Sequence, residues 1–214
     1  LQESIHILDG AMGTMLQAKG LPTGATPELV ALEHPQWLLD IHTAYLDAGS
    51  QIVYANTFGA NREKLAHCGV TVEEVVQAAV SLAKQAAQGR GLVALDIGPI
   101  GQLLQPTGTL EFEEAVDVFA QVVRAGVAAG ADLAVIETMT DLQEARAALL
   151  AVKENSSLPV MVTMTYEATG RTFLGCSPAC AALTLEGMGA DAIGINCSLG
   201  PREMPPLVEE LIAW

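Results

Sequence analysis

The chain is poor in aromatic residues, which make up 4% of its 214 positions, and poor in positive charge, with 10 Lys and Arg against 25 Asp and Glu. Its formal net charge is -15 at pH 7. A surface this acidic repels phosphate backbones and anionic headgroups, so neither nucleic acid nor a membrane surface is an expected partner. No apolar run reaches the roughly 20 residues of a membrane span. The opening stretch "LQESIHILDG" lacks the basic segment and long apolar run of a secretory leader. The expected setting is therefore soluble and cytoplasmic. Only four cysteines occur, Cys68, Cys176, Cys180 and Cys197, too irregularly spaced for a disulfide scaffold, and reduced thiols are expected.

Other absences narrow the chemistry. The histidines His6, His34, His42 and His67 show neither HxH nor HExxH spacing, which argues against a histidine-based zinc site. His6 falls inside an apolar run and reads as a packed core residue. Lys19, Lys64, Lys84 and Lys153 fall in helical or loop stretches, away from the strand ends where a Schiff-base lysine would act. The first apolar run ends in "LDGAMGTML", whose Gly10 and Gly13 do not make the G-x-G-x-x-G turn of a dinucleotide site. Cys176 and Cys180 flank "SPA" and read as small thiols ahead of a helix, not as a metal pair.

What is present is a repeat. Short apolar, β-branched runs occupy 5–8, 51–55, 92–96, 133–137, 160–166 and 192–196, separated by Ala-, Leu-, Glu- and Gln-rich stretches of helical spacing such as "FEEAVDVFAQVVRAGVAAG" and "TDLQEARAALLAVKEN". Strands hydrophobic throughout and divided by helices predict a parallel sheet covered on both faces. The joins "DAGSQIVYANT", "AAGADLAVIET" and "GMGADAIGINC" each place a Gly two to four residues before a strand, as a helix C-terminal glycine would stand. Residues 1–214 read as one α/β domain, and a β/α barrel fits better than a doubly wound sheet. A barrel puts its chemistry at the C-terminal strand ends. These ends carry Asp9, Asn56 and Thr57, Asp96, Glu137 and Thr138, Thr165 and Tyr166, and Asn196 and Cys197.

Each has a plain reading beside a functional one. Asp96 could simply hold the "DIGPIG" loop, and a Thr or Asn at a strand end usually satisfies loop backbone. Asp9 and Glu137 follow apolar strands and point toward a shared mouth, where two carboxylates could bind a cationic group or do acid–base work. Cys197 could be a core thiol, a nucleophile or a metal ligand, and the residues themselves leave these open.

The stretches "ILDGAMGTML" (7–16), "ANTFGANREKL" (55–65), "DIGPIGQLLQPTG" (96–108), "IETMTDLQEA" (136–145) and "GINCSLGP" (194–201) resemble, in order, those of the homocysteine S-methyltransferase family. The "SLGP" after Cys197 is most similar to the cobalamin-dependent branch. The resemblance implies a (β/α)8 TIM-type barrel that transfers a methyl group to homocysteine, giving methionine, with Zn2+ held on three cysteine thiolates of which Cys197 is one. It implies that Asp9 and Glu137 hold the substrate's amino group. It further implies that backbone amides at Gly10, Ala11, Asn56 and Thr57 meet its carboxylate and that Asn196 orients the metal loop. Cobalamin and methyltetrahydrofolate are then handled by other domains, of the same or a separate chain, not by this segment. The family's "GGCC" motif, which supplies the other two ligands, is missing from the sequence. With six strand runs, about six βα units are expected, the C-terminal units being absent and the exposed sheet edges inviting self-association. Two further readings stand beside this one: a betaine- or S-methylmethionine-type homocysteine methyltransferase, and an inactive, metal-free barrel fragment that only binds or supports.

Overall fold

The computed structural model describes residues 5–197 and 199–213; residues 1–4 of the leader reading, Ser198 of the "SLGP" stretch and Trp214 lie outside the described residues. The strands are β1 (Ile52–Tyr54), β2 (Leu92–Ile97), β3 (Leu133–Met139), β4 (Val160–Met164) and β5 (Ala192–Ile195). The helices are α1 (Met12–Lys19), α2 (Val30–Glu33), α3 (Pro35–Asp47), α4 (Arg62–Leu65), α5 (Val72–Ala87), α6 (Phe112–Ala128), α7 (Leu142–Asn155), α8 (Pro178–Gly187) and α9 (Met204–Ile212), with a 3-10 turn at Pro27–Leu29. All pairings are parallel and the order is β1-β2-β3-β4-β5, so each strand lies beside its predecessor. A doubly wound sheet would reverse that order once; a barrel wall does not. The α/β alternation and sequential order are those of a partial TIM barrel.

The first apolar run departs from expectation. It joins β1 through one parallel bridge, Leu8 to Ile52, and is not a full strand. It is held to β1 at its base, where Ile7 N donates to the side-chain Oε1 of Gln51 (3.1 Å) and Ile7 O accepts from Gln51 N (2.8 Å). The fifth run is also shorter than expected, since β4 stops at Met164 and leaves Thr165 and Tyr166 beyond it.

The αβ joins repeat one device. Gly49, Gly130 and Gly189 have φ of 107°, 86° and 89°, a left-handed backbone that favours glycine. The next amide reaches back into the last helical turn: Ser50 N to Tyr45 O (3.0 Å), Ala131 N to Gly126 O (3.1 Å) and Ala190 N to Leu185 O (3.0 Å). The residue after that closes the preceding strand. Asp132 Oδ2 accepts from Val93 N (2.7 Å), Asp191 Oδ2 accepts from Val160 N (2.9 Å), and Gln51 does the same for Ile7. These side chains anchor the base of the wall.

Alternation along the strands sorts the residues. Val53, Leu95, Ile97, Ala134, Ile136, Val162 and Met164 join the main buried cluster with α5, α6 and α7, whereas Ile52, Ala94, Leu133 and Val135 pack with Tyr54 and Met161 as a separate cluster on the other face. That second face is the barrel interior. At its base lies an open cavity of about 550 Å³ lined by His6, Leu8, Ile52, Leu133, Val160 and Met161. His6 is half-buried there. No described helix is long and apolar enough to cross a membrane.

One buried residue fits neither face. His42 on α3 is 0% exposed, and neither ring nitrogen has a hydrogen-bond partner among the described residues. Burial pushes its pKa down from 6.5 to about 4. Between those values the unfolded chain binds a proton that the folded chain refuses, so stability is full above pH 6.5 and falls as the pH drops toward 4. The loss should reach roughly 3 kcal/mol. His42→Leu is expected to remove that acid-side loss, so the difference between urea stabilities measured near neutral and near about pH 4.5 shifts by about that amount relative to wild type; an unchanged difference would show that His42 does not contribute it.

Candidate functional site at the strand ends

Parity brings the polar strand ends together. Asp96 continues the interior positions of β2, Glu137 those of β3, Thr163 those of β4 and Asn196 those of β5. Glu28, Asn56, Asp96, Glu137, Thr138 and Cys197 line one cavity of about 300 Å³, closed on one side by Met12, Gly13 and Phe58. Asp9, at the end of the first run, accepts a hydrogen bond from Tyr54 N at Oδ2 (2.9 Å) and is near enough to Glu137 for their charges to interact.

Asn196 is the hub. Its Nδ2 donates to Glu137 Oε2 (2.6 Å) and Thr138 Oγ1 (2.9 Å) and lies 3.7 Å from Cys197 Sγ. Its Oδ1 accepts from Thr138 N (3.0 Å) and Thr163 Oγ1 (2.9 Å). One side chain thus ties the ends of β3, β4 and β5. It also sits between two left-handed residues, Thr138 (φ 61°) and Cys197 (φ 48°). A β-branched residue in that region costs of order 1–3 kcal/mol, and the Asn196 bonds to both the amide and the hydroxyl of Thr138 offset that cost. The register between β3 and β4 shifts at the same place, between Ile136 and Met139. Cys197 is consequently exposed.

Asn56 and Thr57 show the plainer behaviour at the side-chain level. Asn56 Nδ2 donates to Pro27 O (2.7 Å). Buried Thr57 staples β1 to β2, its hydroxyl donating to Asp96 O (2.8 Å) and accepting from Asp96 N (3.1 Å), while its amide is taken by Ala55 O (2.7 Å). The amides of Gly10, Ala11 and Asn56, by contrast, have no acceptor among the described residues. Asp96 does not hold the "DIGPIG" loop: its side chain points inward, and the loop is held by Glu144, whose Oε1 accepts from Ile100 N (2.7 Å), and by Phe58 O, which accepts from Gly98 N (2.9 Å). Gly98 is required there, because a Cβ would come within 2.5 Å of the Phe58 ring. Glu144 and Glu28, which accepts from Gly59 N (2.7 Å), were not evident from the sequence. Both lie in helical stretches whose inward face only the fold reveals.

The electrostatics run one way. Burial, with a smaller push from Glu137, raises Asp9 to about 7 against a lowering by the Tyr54 amide. Burial also raises Glu137. Asp96 lies well above the usual carboxylate range through burial and then through Glu137, Asp9 and Glu28, with Lys64 alone opposing. The cavity is built around acids without a paired cation, which suits a cationic ligand. Cys176 and Cys180 are elsewhere, in a cavity with Thr107, Asp141 and Gln143, and burial, then Cys180, pushes the Cys176 thiol up to about 12. Among the described residues no three His, Cys, Asp or Glu side chains converge closely enough to hold one metal ion. Cys197 offers a single thiolate where a catalytic zinc takes three protein ligands.

The homocysteine S-methyltransferase family profile matches residues 6–213. Methionine synthase of Mycobacterium tuberculosis (strain ATCC 25618 / H37Rv) is 30% identical over 95% of the chain, and so is that of Mycobacterium leprae (strain TN). The chain spans only 19% and 18% of those relatives' lengths. The homocysteine methyltransferase MmuM from Escherichia coli, in its metallated form, superposes with a TM-score of 0.81 at 24% identity, covering 92% of this chain and 75% of that one. At that identity the likeness speaks for the fold.

The raised Asp9 carries a sign opposite to that of His42. Between pH 3.8 and about 7 the folded chain keeps a proton that the unfolded chain releases, so this group's contribution falls as the pH rises through that window. Asp9→Asn, which still accepts from Tyr54 N, is expected to raise stability near pH 8 by about 2–4 kcal/mol and to leave it unchanged near pH 4. Carboxyl NMR titration of the wild type supplies the direct check, and a midpoint near 4 would contradict the assignment.

Proposed function

The chain belongs to the homocysteine S-methyltransferase family, and on that premise we propose that it binds homocysteine and positions the substrate's thiolate sulfur to accept a methyl group, giving methionine. The reading is carried by one observation: Glu137 lines a strand-end cavity with the thiol of Cys197, and a second acid, Asp9, stands near enough to Glu137 for their charges to interact. An amino acid bearing a thiol matches both halves. Its ammonium goes to Asp9 and Glu137, and its carboxylate to the amides of Gly10, Ala11 and Asn56, at the positive end of α1. Thr57 keeps the second strand end in place by bridging β1 and β2.

In the transfer the sulfur lone pair attacks the methyl carbon in line. The new S–C bond forms as the bond from carbon to donor breaks, and its electron pair leaves with the donor. The chain's part is to bind both ends of the amino acid so that sulfur faces the open side of the cavity. Asn196 positions Glu137 and Cys197 together, so that the ammonium grip and the sulfur end keep a common frame. Zinc, when bound, supplies a Lewis acid that keeps the substrate's thiol ionised at neutral pH. Cys197 is proposed as one of its thiolate ligands, the others coming from outside the described residues. The relatives are methionine synthases, and with the "SLGP" resemblance this supports our reading of a methyl donor carried by cobalamin and replenished from methyltetrahydrofolate on other domains, in cytoplasmic methionine biosynthesis. For these 214 residues alone, the single thiol in the cavity favours a second reading, binding without metal or turnover.

In the full-length protein, Cys197→Ala is expected to abolish zinc retention and homocysteine methylation together, by metal analysis and a thiol-consumption assay. A zinc-replete wild type that never consumes homocysteine would sink the reading. Glu137→Gln is expected to raise KM for homocysteine roughly 10- to 100-fold with zinc content unchanged, since a charge-assisted hydrogen bond contributes about 1.5–3 kcal/mol; calorimetry showing unaltered affinity would remove Glu137 from the amino-group site.

A further inference from the structure

Asp96 is the acid in this mouth that the structure leaves without work. It is 7% exposed, it lines the strand-end cavity, and its Oδ1 has no hydrogen-bond partner among the described residues. Buried carboxyl oxygens are nearly always paired, so an orphan of this kind needs a reason. Its neighbours do not supply one. Thr57 engages only the Asp96 backbone, and Lys64 stacks its ammonium over the Phe58 ring, 5.1 Å from the centroid. Asp9 and Glu137 each already accept one protein donor, from Tyr54 N and Asn196 Nδ2. A small metal ion is a poor occupant, because no three potential ligands among the described residues converge on one point.

An alkylammonium group is larger and presents three N–H donors in a cone. We propose that Asp96 is a third carboxyl group of the ammonium pocket, so that Asp9, Asp96 and Glu137 offer one acceptor to each N–H of the amino-acid substrate; this rests on the functional reading above. The three stand on one wall, on the first run, β2 and β3, with β1 between the first run and β2. Burial, followed by Glu137, Asp9 and Glu28, favours its acid form while the pocket is without a cation, and an incoming ammonium reverses that preference. A ligand without the ammonium would leave the buried Asp96 carboxyl without a donor, so the pocket selects for an ammonium rather than for a thiol alone.

The test compares homocysteine with γ-mercaptobutyrate, which keeps the thiol and the carboxylate and lacks the ammonium, as methyl acceptors for the zinc-loaded full-length protein. The ratio of the two kcat/KM values, taken on one preparation, does not depend on how much of a variant folds. Asp96→Asn and Asp96→Ala are expected to lower the preference for homocysteine about 10- to 100-fold, through KM, with the γ-mercaptobutyrate rate little changed. If wild type prefers homocysteine and both variants keep that preference, or lose both substrates in equal measure, Asp96 does not meet the ammonium. If the wild type methylates neither thiol, the functional reading fails first and this one with it.

Discussion

In a parallel strand every second residue faces the same way, and the mouth of this wall depends on that parity. Leu95 and Ile97 go to the helices while Ala94 and Asp96 go to the interior; Ile136 and Glu137 divide in the same manner on β3. A slip of one residue would exchange the two sets, sending carboxyl groups into the helix packing and Leu or Ile into the cavity. The buried core and the chemical site are therefore specified together. The parts that guard the register lie at the opposite end of the strands, where Asp132, Asp191 and Gln51 each close the base of the preceding strand after a left-handed glycine. Residues far from the cavity aim the residues that line it.

That aim has an energetic consequence. The folded chain gathers Asp9, Asp96 and Glu137 where burial disfavours their charge, with Lys64 alone opposing at Asp96 and no ion pair to any of the three among the described residues. Natural proteins accept such local cost where a ligand relieves it. Away from the mouth the same chain buries His42 neutral, which penalises acid conditions, while the acids of the mouth penalise alkaline ones. The two slopes oppose each other between about pH 4 and 6.5, so a flat stability profile there would conceal two large local terms. A bound cation at the mouth removes the alkaline penalty alone and would move the stability optimum upward.

Much of this was legible in the residues. The βα repeat, its sequential parallel order and the helix-ending glycines follow from hydrophobic runs and local backbone preferences, which act over a few residues. Asp9, Glu137, Asn196 and Cys197 could be singled out because a polar residue closing an apolar run is locally conspicuous. What was not legible depends on distance in space. Glu144 and Glu28 sit on helical stretches that look like solvent faces, yet each turns inward to hold a loop from another βα unit. The residues leave Asp96 open between a loop anchor and a strand-end acid, and only the inward parity of β2 decides between them. The first run keeps only a single bridge to β1, and hydrophobic periodicity does not register how much pairing a neighbour provides.

The strained residues complete the picture of how one polymer end serves two tasks. Thr138 and Cys197 both adopt left-handed backbones that neither residue type prefers, and both flank the single amide of Asn196. Of the three left-handed non-glycine residues described, Gln88 ends α5, and the other two, Thr138 and Cys197, share one neighbour that holds them both. The bend at Thr138 is what lets Glu137 face the cavity while Met139 stays in the core, and the bend at Cys197 is what turns the thiol outward from the end of β5. Removing the Asn196 amide would free both bends at once, so Glu137 and Cys197 should be coupled energetically even though they lie on different strands.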